Sequence, residues 1–235
     1  MRIALLLLTL LLAAACSKSE KSAAGETQSG AHSAANERGE SKPESGDHLL
    51  DPPAQDYRAP EHFTLTLKTT KGDIVIDVER NLSPHGADRI YTLAKLGYFE
   101  DVAFFRVISG FMAQVGIHGD PAVNEIYRSR NIPDDPVKAG NVRGAVSFAK
   151  SSTPNSRSTQ FFINFADNTH LDAAGFAPFG KVRDMSVVDA LYAGYGESAP
   201  AGRGPEQALI QLLGNEYLKK EFPELDYILS ASLEG

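Results

Sequence analysis

Hydrophobic and polar positions alternate along FTLTLKTTKGDIVIDV, residues 63–78, on both sides of Lys71-Gly72. A period of two with a glycine-containing break predicts a β-hairpin with strands near 63–69 and 73–79. The period then lengthens: after Ser83-Pro84, the residues Ala87, Ile90, Leu93 and Ala94 recur at helical spacing, and Gly97 supplies a stop. A helix is expected there, with serine at its cap and proline in its first turn. Short apolar or alternating runs follow near 103–108, 112–115, 145–149, 159–165 and 178–183, and DYILSASL provides a last strand. A second helix fits 186–193 ahead of Gly194, and a third starts at Gly204-Pro205 with Leu209, Ile210, Leu213 and Tyr217 on one side. Many short, evenly spaced strands with few helices predict a mainly β fold, a closed antiparallel barrel that leaves no exposed edge.

One of these strands is unusual. In STQFFINF, residues 158–165, alternation puts Phe161, Ile163 and Phe165 on one face and Gln160, Phe162 and Asn164 on the other. The first face reads as core. The second combines two amides with a ring, which is too polar for an interior and too aromatic for an idle surface.

The first sixty residues have a different texture. MRIALLLLTLLLAAAC carries Arg2, an apolar run from Ile3 to Leu12, three alanines and Cys16, the only cysteine. The run is shorter than the roughly 20 residues of a membrane span and matches an export signal, expected to be removed as residues 1–15. The alanines ahead of Cys16 resemble a lipoprotein lipobox, which implies acylation of Cys16, although Ala13 stands where leucine is commonest. Ser17 follows in place of aspartate, and by the lipoprotein sorting rule this implies the outer membrane, with the domain on its periplasmic side. Residues 16–61 are rich in Ser, Ala, Gly, Glu and Lys and poor in aliphatic residues, so they are expected to be a flexible tether. About 45 such residues would hold a domain roughly 35 to 40 Å from the membrane. The folded domain is placed at 62–235.

Composition narrows the partners. The formal net charge of -7 lacks the basic footprint of a nucleic-acid binder, and no Lys/Arg run compensates for it. Nucleic acid is not expected as a partner. His118 and Asp120 in GIHGDP lack a third ligand type and read as a turn, so neither a metal nor another cofactor is expected. The acids of NIPDDPV, Asp134 and Asp135, read as a surface loop.

Candidate chemistry lies in FFRVISGFMAQVG, residues 104–116, which reads as strand, tight turn, strand. A three-residue loop, 109–111, sets Arg106 opposite Gln114 and Ile108 opposite Met112. A two-residue loop separates them, and both registers are open from sequence alone. The first register braces a guanidinium with an amide beside Met112 and Phe111. Together with Gln160 and Phe162 this makes one cation, two amides, two rings and a thioether, without a nucleophile or an acid/base pair. Such a site suits a reaction that needs little proton transfer and no covalent intermediate.

FFRVISGFMAQ and STQFFINFADN, followed by FAPFGKV, resemble in this order the signature segments of the cyclophilin-type peptidyl-prolyl cis/trans isomerases. The resemblance runs from the first hairpin to the last strand. It implies a closed eight-stranded antiparallel barrel capped by two helices, here with an extra C-terminal helix, and a groove on the outer surface. It also implies that Arg106 is catalytic with Gln114 orienting it, and that Phe111, Met112, Phe162 and Leu171 wall a proline pocket. Gln160 would contact the substrate backbone, and Ala149 would belong to the segment that pairs with the peptide. The chain departs from the family pattern at His170, where many members have tryptophan, at Phe176 in place of a groove histidine, and at Lys150 in place of asparagine. These departures imply low sensitivity to cyclosporin. The GYGESAPAGRGPEQ connection receives no function. The expected partners are proline-containing unfolded or exported polypeptides, met by a lipid-anchored monomer. The competing reading is a non-catalytic chaperone or assembly lipoprotein that grips proline segments, but a pure binder has no use for the arginine.

Overall fold

The computed structural model describes residues 47–235, so the expected signal segment and Cys16 lie outside the described residues. A short helix α1 (Asp47–Leu50) precedes the hairpin β1 (His62–Thr69) and β2 (Gly72–Glu79), which is followed by α2 (Pro84–Lys95). Three short strands come next: β3 (Val102–Ala103), β4 (Arg106–Ile108) and β5 (Met112–Val115). Then follow α3 (Pro121–Tyr127), β6 (Ala145–Phe148), β7 (Phe161–Asn164), α4 (His170–Ala173), β8 (Pro178–Val182) and α5 (Ser186–Asp189). The chain ends with α6 (Gln207–Glu221), interrupted by non-helical backbone at Gly214, and β9 (Tyr227–Glu234).

Among the described residues, the strands make one nine-stranded antiparallel sheet in the order β3-β9-β1-β2-β8-β6-β7-β5-β4. This corrects the closed eight-stranded barrel expected from the sequence: the sheet is an open, curled half-barrel with β3 and β4 as its edges. The reason lies in the run expected as one strand over 103–108. That path pairs with β9 at Val102 and Ala103, and the Phe104 N–H still donates to Asp226 O at 2.9 Å. From Arg106 onward it pairs with β5 instead. One running segment thus serves both edges, and no ladder joins them. Phe104 is buried in the main core and Phe105 in a second cluster with Ile117, Ile210, Leu218 and Tyr227. The extra C-terminal helix α6 covers that second cluster, whereas α5 stops at Asp189, short of the expected 186–193.

The main core forms as the alternation predicts. Leu65, Leu67, Ile74, Ile76, Phe161 and Ile163 are fully buried, and α2 presents Ala87, Ile90, Leu93 and Ala94 to them. Burying a large aliphatic or aromatic side chain is worth about 1.5–3 kcal/mol, so this face anchors the fold. Residues 47–61, inside the expected tether, also pack: the Tyr57 N–H donates to Thr92 Oγ1 at 2.8 Å and the Ala59 N–H to Asp88 Oδ1 at 2.9 Å. Arg89 pairs with Asp56 at 2.9 Å, so contacts with α2 begin ahead of the expected domain start at residue 62.

The acids of NIPDDPV are not both surface residues, which is a second correction. Asp135 is 7% exposed and sits at the N-terminus of α2. It accepts from Ser83 Oγ at 2.6 Å, from the Gly86 N–H at 3.0 Å and from Arg157 Nη2 at 2.9 Å. The capping serine therefore works through an aspartate about fifty positions away, a partner that local spacing does not show. Burial by itself raises the Asp135 pKa, but the hydrogen bonds from Ser83, Arg157 and Gly86 outweigh it and hold the carboxyl below its ordinary value. A depressed carboxyl pKa stabilises the fold fully above the unfolded value of 3.8, and that contribution is lost as pH falls through the lower folded value. Asp135→Asn should cost about 3 kcal/mol by urea denaturation at pH 7, because it takes the hydrogen-bonded counter-charge from the buried Arg157 and leaves only the more exposed Asp134, 3.7 Å from its Nε. The variant's stability should also fall less steeply than the parent's below pH 4, and a loss under about 1 kcal/mol would reduce the pair to an incidental contact.

Candidate active site

The β4–β5 turn takes the three-residue form. Gly110 has φ +74°, in the left-handed region, and the Phe111 N–H donates to Ile108 O at 3.0 Å. The register that follows pairs Arg106 with Gln114 and Ile108 with Met112. On the other side of β5, Gln114 lies opposite Phe162 and Met112 opposite Asn164. A one-residue slip would turn Met112 and Gln114 to the far face, so this turn decides whether a groove exists.

Arg106, Phe111, Met112, Phe162, Leu171 and Phe176, with Ala149 and Lys150, line a socket of about 250 Å³. The Phe162 and Phe176 rings meet edge to face with centroids 5.6 Å apart. His170 stacks on Phe111 at 6.1 Å and an interplanar angle of 21°, from an exposed position. Lys150 Nζ lies 6.0 Å from the Phe176 ring centre and 3.7 Å from Asp134. A second, more polar hollow of about 450 Å³ adjoins the socket and shares Arg106, Ala149 and Lys150 with it. Gln114, Gln160 and Arg128 help to line this second hollow. Every residue expected at the groove therefore lines the socket, lines the adjoining hollow, or stacks on a wall.

A chain of hydrogen bonds aims the cation. Gln160 Oε1 accepts from Gln114 Nε2 at 2.9 Å, and Gln114 Oε1 accepts from Arg106 Nη1 at 2.9 Å. The Met112 thioether sulfur lies 3.7 Å from the same Nη1. The other edge of the guanidinium meets Glu197, with Nε to Oε1 at 2.5 Å and Nη2 to Oε2 at 2.7 Å. Hydrogen bonds from Arg106 hold the Glu197 carboxyl below its ordinary value; burial opposes this and the Ser198 N–H assists it. Ala149 donates its N–H to Gln160 O at 2.8 Å.

The walls rest on a buried amide network. Asn168 Nδ2 donates to Phe111 O and to Asn164 Oδ1, each at 2.8 Å. Asn141 Nδ2 donates to Phe176 O at 2.8 Å and to Asp172 Oδ1 at 2.7 Å. Ser147 Oγ donates to Asn141 Oδ1 at 2.8 Å, and Asn164 Nδ2 to Ala145 O at 2.9 Å. The mixed face of STQFFINF is thereby split: Phe162 lines the socket, Gln160 joins the relay, and Asn164 is fully buried as a support. Sequence reasoning missed Asn141, Asn168 and Glu197. Nothing local marks them, since Glu197 is 91 positions from Arg106. Away from the groove, His118 Nδ1 accepts the Asp120 N–H at 2.9 Å and Asp120 caps α3, which is the expected turn. Burial lowers the His118 pKa.

Among the described residues that line either hollow, none is an imidazole or carboxylate paired with a nucleophile. The arrangement can hold an apolar ring and offer aimed N–H groups beside it. It is built to favour a distorted bond over the breaking of one.

Comparison with known proteins agrees. The model of the family described as "Cyclophilin type peptidyl-prolyl cis-trans isomerase/CLD" matches residues 64–207. The chain is similar to a probable peptidyl-prolyl cis-trans isomerase of Brucella abortus (strain 2308), 34% identical over 157 residues that span 62% of this chain and 80% of the relative. It is also similar to the peptidyl-prolyl cis-trans isomerase of Acinetobacter baylyi, 36% identical over 53% of this chain and 69% of the relative. In fold it is similar to a cyclophilin-type isomerase from Cryptosporidium parvum, with a TM-score of 0.55 and 20% identity, covering 74% of this chain and 98% of that one. Sequence and fold agree with the socket, and the chain belongs to the cyclophilin-type peptidyl-prolyl cis-trans isomerase family.

Proposed function

We propose that this isomerase turns X-Pro bonds in the socket between Phe111, Met112, Phe162, Leu171 and Phe176, with Arg106 as the catalytic group and Gln114 orienting it. Rotation about an X-Pro bond meets a barrier of about 18–20 kcal/mol, because the prolyl nitrogen lone pair is delocalised into the carbonyl. As the bond twists, the nitrogen becomes pyramidal and regains that lone pair. An N–H of Arg106 aimed at it stabilises the twisted state and gains nothing comparable from either planar isomer. The apolar walls hold the ring while the preceding carbonyl swings. Each 1.36 kcal/mol or so of such selective stabilisation is a factor of ten in rate.

The observation that carries this reading is the Gln160–Gln114–Arg106 relay, which ends at the mouth of an apolar socket. Because the Ala149 N–H is already bonded to Gln160 O, a bound peptide would pair with the Ala149 carbonyl and with the Gln160 side chain. His170 stacked on Phe111 would narrow the rim of the socket.

The natural substrates, on this proposal, are proline-containing unfolded or newly exported polypeptides. They are met on the periplasmic side by a monomer anchored to the outer membrane through acylated Cys16. The support for the setting is the apolar run ending in Ala-Ala-Ala-Cys and the serine after it.

Arg106→Ala should lower kcat/KM on a proline tetrapeptide by about 100-fold, the usual cost of one aimed donor, with an unchanged circular dichroism spectrum. Parent-like turnover would remove Arg106 from the mechanism. Cyclosporin should inhibit weakly, and submicromolar inhibition in the same assay would contradict the part given to His170 and Phe176. A palmitate analogue should label the full chain in cells and fail to label the Cys16→Ser variant, with the labelled form in the outer-membrane fraction. Equal labelling of both would sink the anchor.

A further inference from the structure

The connection from Gly194 to Glu206 supplies no named strand to the nine-stranded sheet, yet it delivers a carboxylate to Arg106. Its backbone joins the free edge of β4 through a bridge between Gly196 and Val107. It then closes on itself. The Gly204 N–H donates to Glu197 O at 2.8 Å, the Gly202 N–H to Ser198 O at 3.0 Å and the Ala199 N–H to Gly204 O at 3.1 Å. A Cβ at Gly202 would lie 2.3 Å from the Glu197 carbonyl oxygen, so only glycine lets the loop close this tightly. The Ser198 N–H donates to Glu197 Oε1 at 2.8 Å, so the carboxylate is itself held in place before it meets Arg106.

A guanidinium has five N–H groups in a rigid fork. Glu197 takes the Nε–H and one on Nη2, and Gln114 takes one on Nη1. What stays available is the second N–H on Nη2, at the distal end, and the second on Nη1, whose neighbour is the weakly accepting Met112 sulfur at 3.7 Å. Gln114 alone binds at one point and leaves the plane free to rotate about it; a bidentate carboxylate sets the plane.

We propose that Glu197 is a positioning residue of the isomerase reaction: the 194–206 loop clamps the Nε edge of Arg106 so that its distal N–H groups face the twisting prolyl nitrogen. This rests on the reading of Arg106 as the catalytic donor. The clamp acts on the transition state, because a ground-state X-Pro bond offers the guanidinium no nitrogen lone pair to meet. Its loss falls on kcat and leaves KM nearly unchanged.

The test measures exchange of a proline tetrapeptide by NMR with the parent and the Glu197→Ala, Glu197→Gln and Arg106→Ala variants. Expected for Glu197→Ala is a fall in kcat of about tenfold at constant KM, within the range of cost for a misplaced group. Glu197→Gln keeps one acceptor for the Nε–H and should restore part of the loss. In nitrogen-15 spectra the Arg106 Nε–H signal should move upfield in Glu197→Ala and lie between the two in Glu197→Gln. Adding Glu197→Ala to Arg106→Ala should cost nothing further, since the clamp then has nothing to hold. Turnover of Glu197→Ala at or above the parent's, with Arg106→Ala inactive, would overturn the clamp and leave Arg106 standing. Full turnover in Arg106→Ala would overturn the reading beneath it. Equal losses in Glu197→Ala and Glu197→Gln, each with a lowered unfolding midpoint, would make the residue merely structural and also overturn the proposal.

Discussion

A cation helps a twisting imide only when its N–H groups are aimed before the substrate arrives, because reorienting a long side chain during the reaction would consume the stabilisation it offers. With Arg106 as the proposed donor, the cross-strand bond from Arg106 to Gln114 would do the aiming, and it exists because the turn at Ser109–Gly110–Phe111 has three residues. The same register turns Met112 and Phe162 into the socket and leaves Phe161 and Ile163 in the core. Chemistry and packing thus depend on one hairpin geometry, and neither can shift without the other.

Beneath the socket the chain uses buried amides where an apolar core would also pack. Buried polar groups are costly unless satisfied, and the hydrogen bonds among Asn141, Ser147, Asn164, Asn168 and Asp172 provide that satisfaction. Two bonds leave the network to reach the carbonyls of Phe111 and Phe176, both of which line the socket. Hydrogen bonds are directional where hydrophobic packing is not, so the network sets the distance between walls more sharply than packing could.

The open sheet has a related consequence. Its edge at β4 would present unpaired backbone groups next to the site, a liability for any edge strand. The 194–206 loop covers part of that edge through Gly196 and also carries Glu197 to Arg106. Protecting the edge and clamping the guanidinium are thereby done by one segment, and α6 with the Phe105 cluster supports it from behind.

Local pattern by itself determined the strands, the apolar face of α2, the division of STQFFINF into a core side and a groove side, and the inventory of the groove. These depend on side-chain periodicity, which short-range geometry enforces. The β4–β5 register was legible as one of two possibilities, and the folded chain takes the one with the three-residue turn. Closure of the barrel was misread, because a single run over 103–108 looks continuous in sequence although it changes partners at Phe105 in space. Asp135 was misread for the same kind of reason: its exposure depends on Ser83 and Arg157, far along the chain. Glu197 gave no sign at all. Whether a carboxylate sits in solvent or on a guanidinium is decided by how a glycine-rich loop closes over a strand edge, and that is a property of the folded chain that residue order does not display.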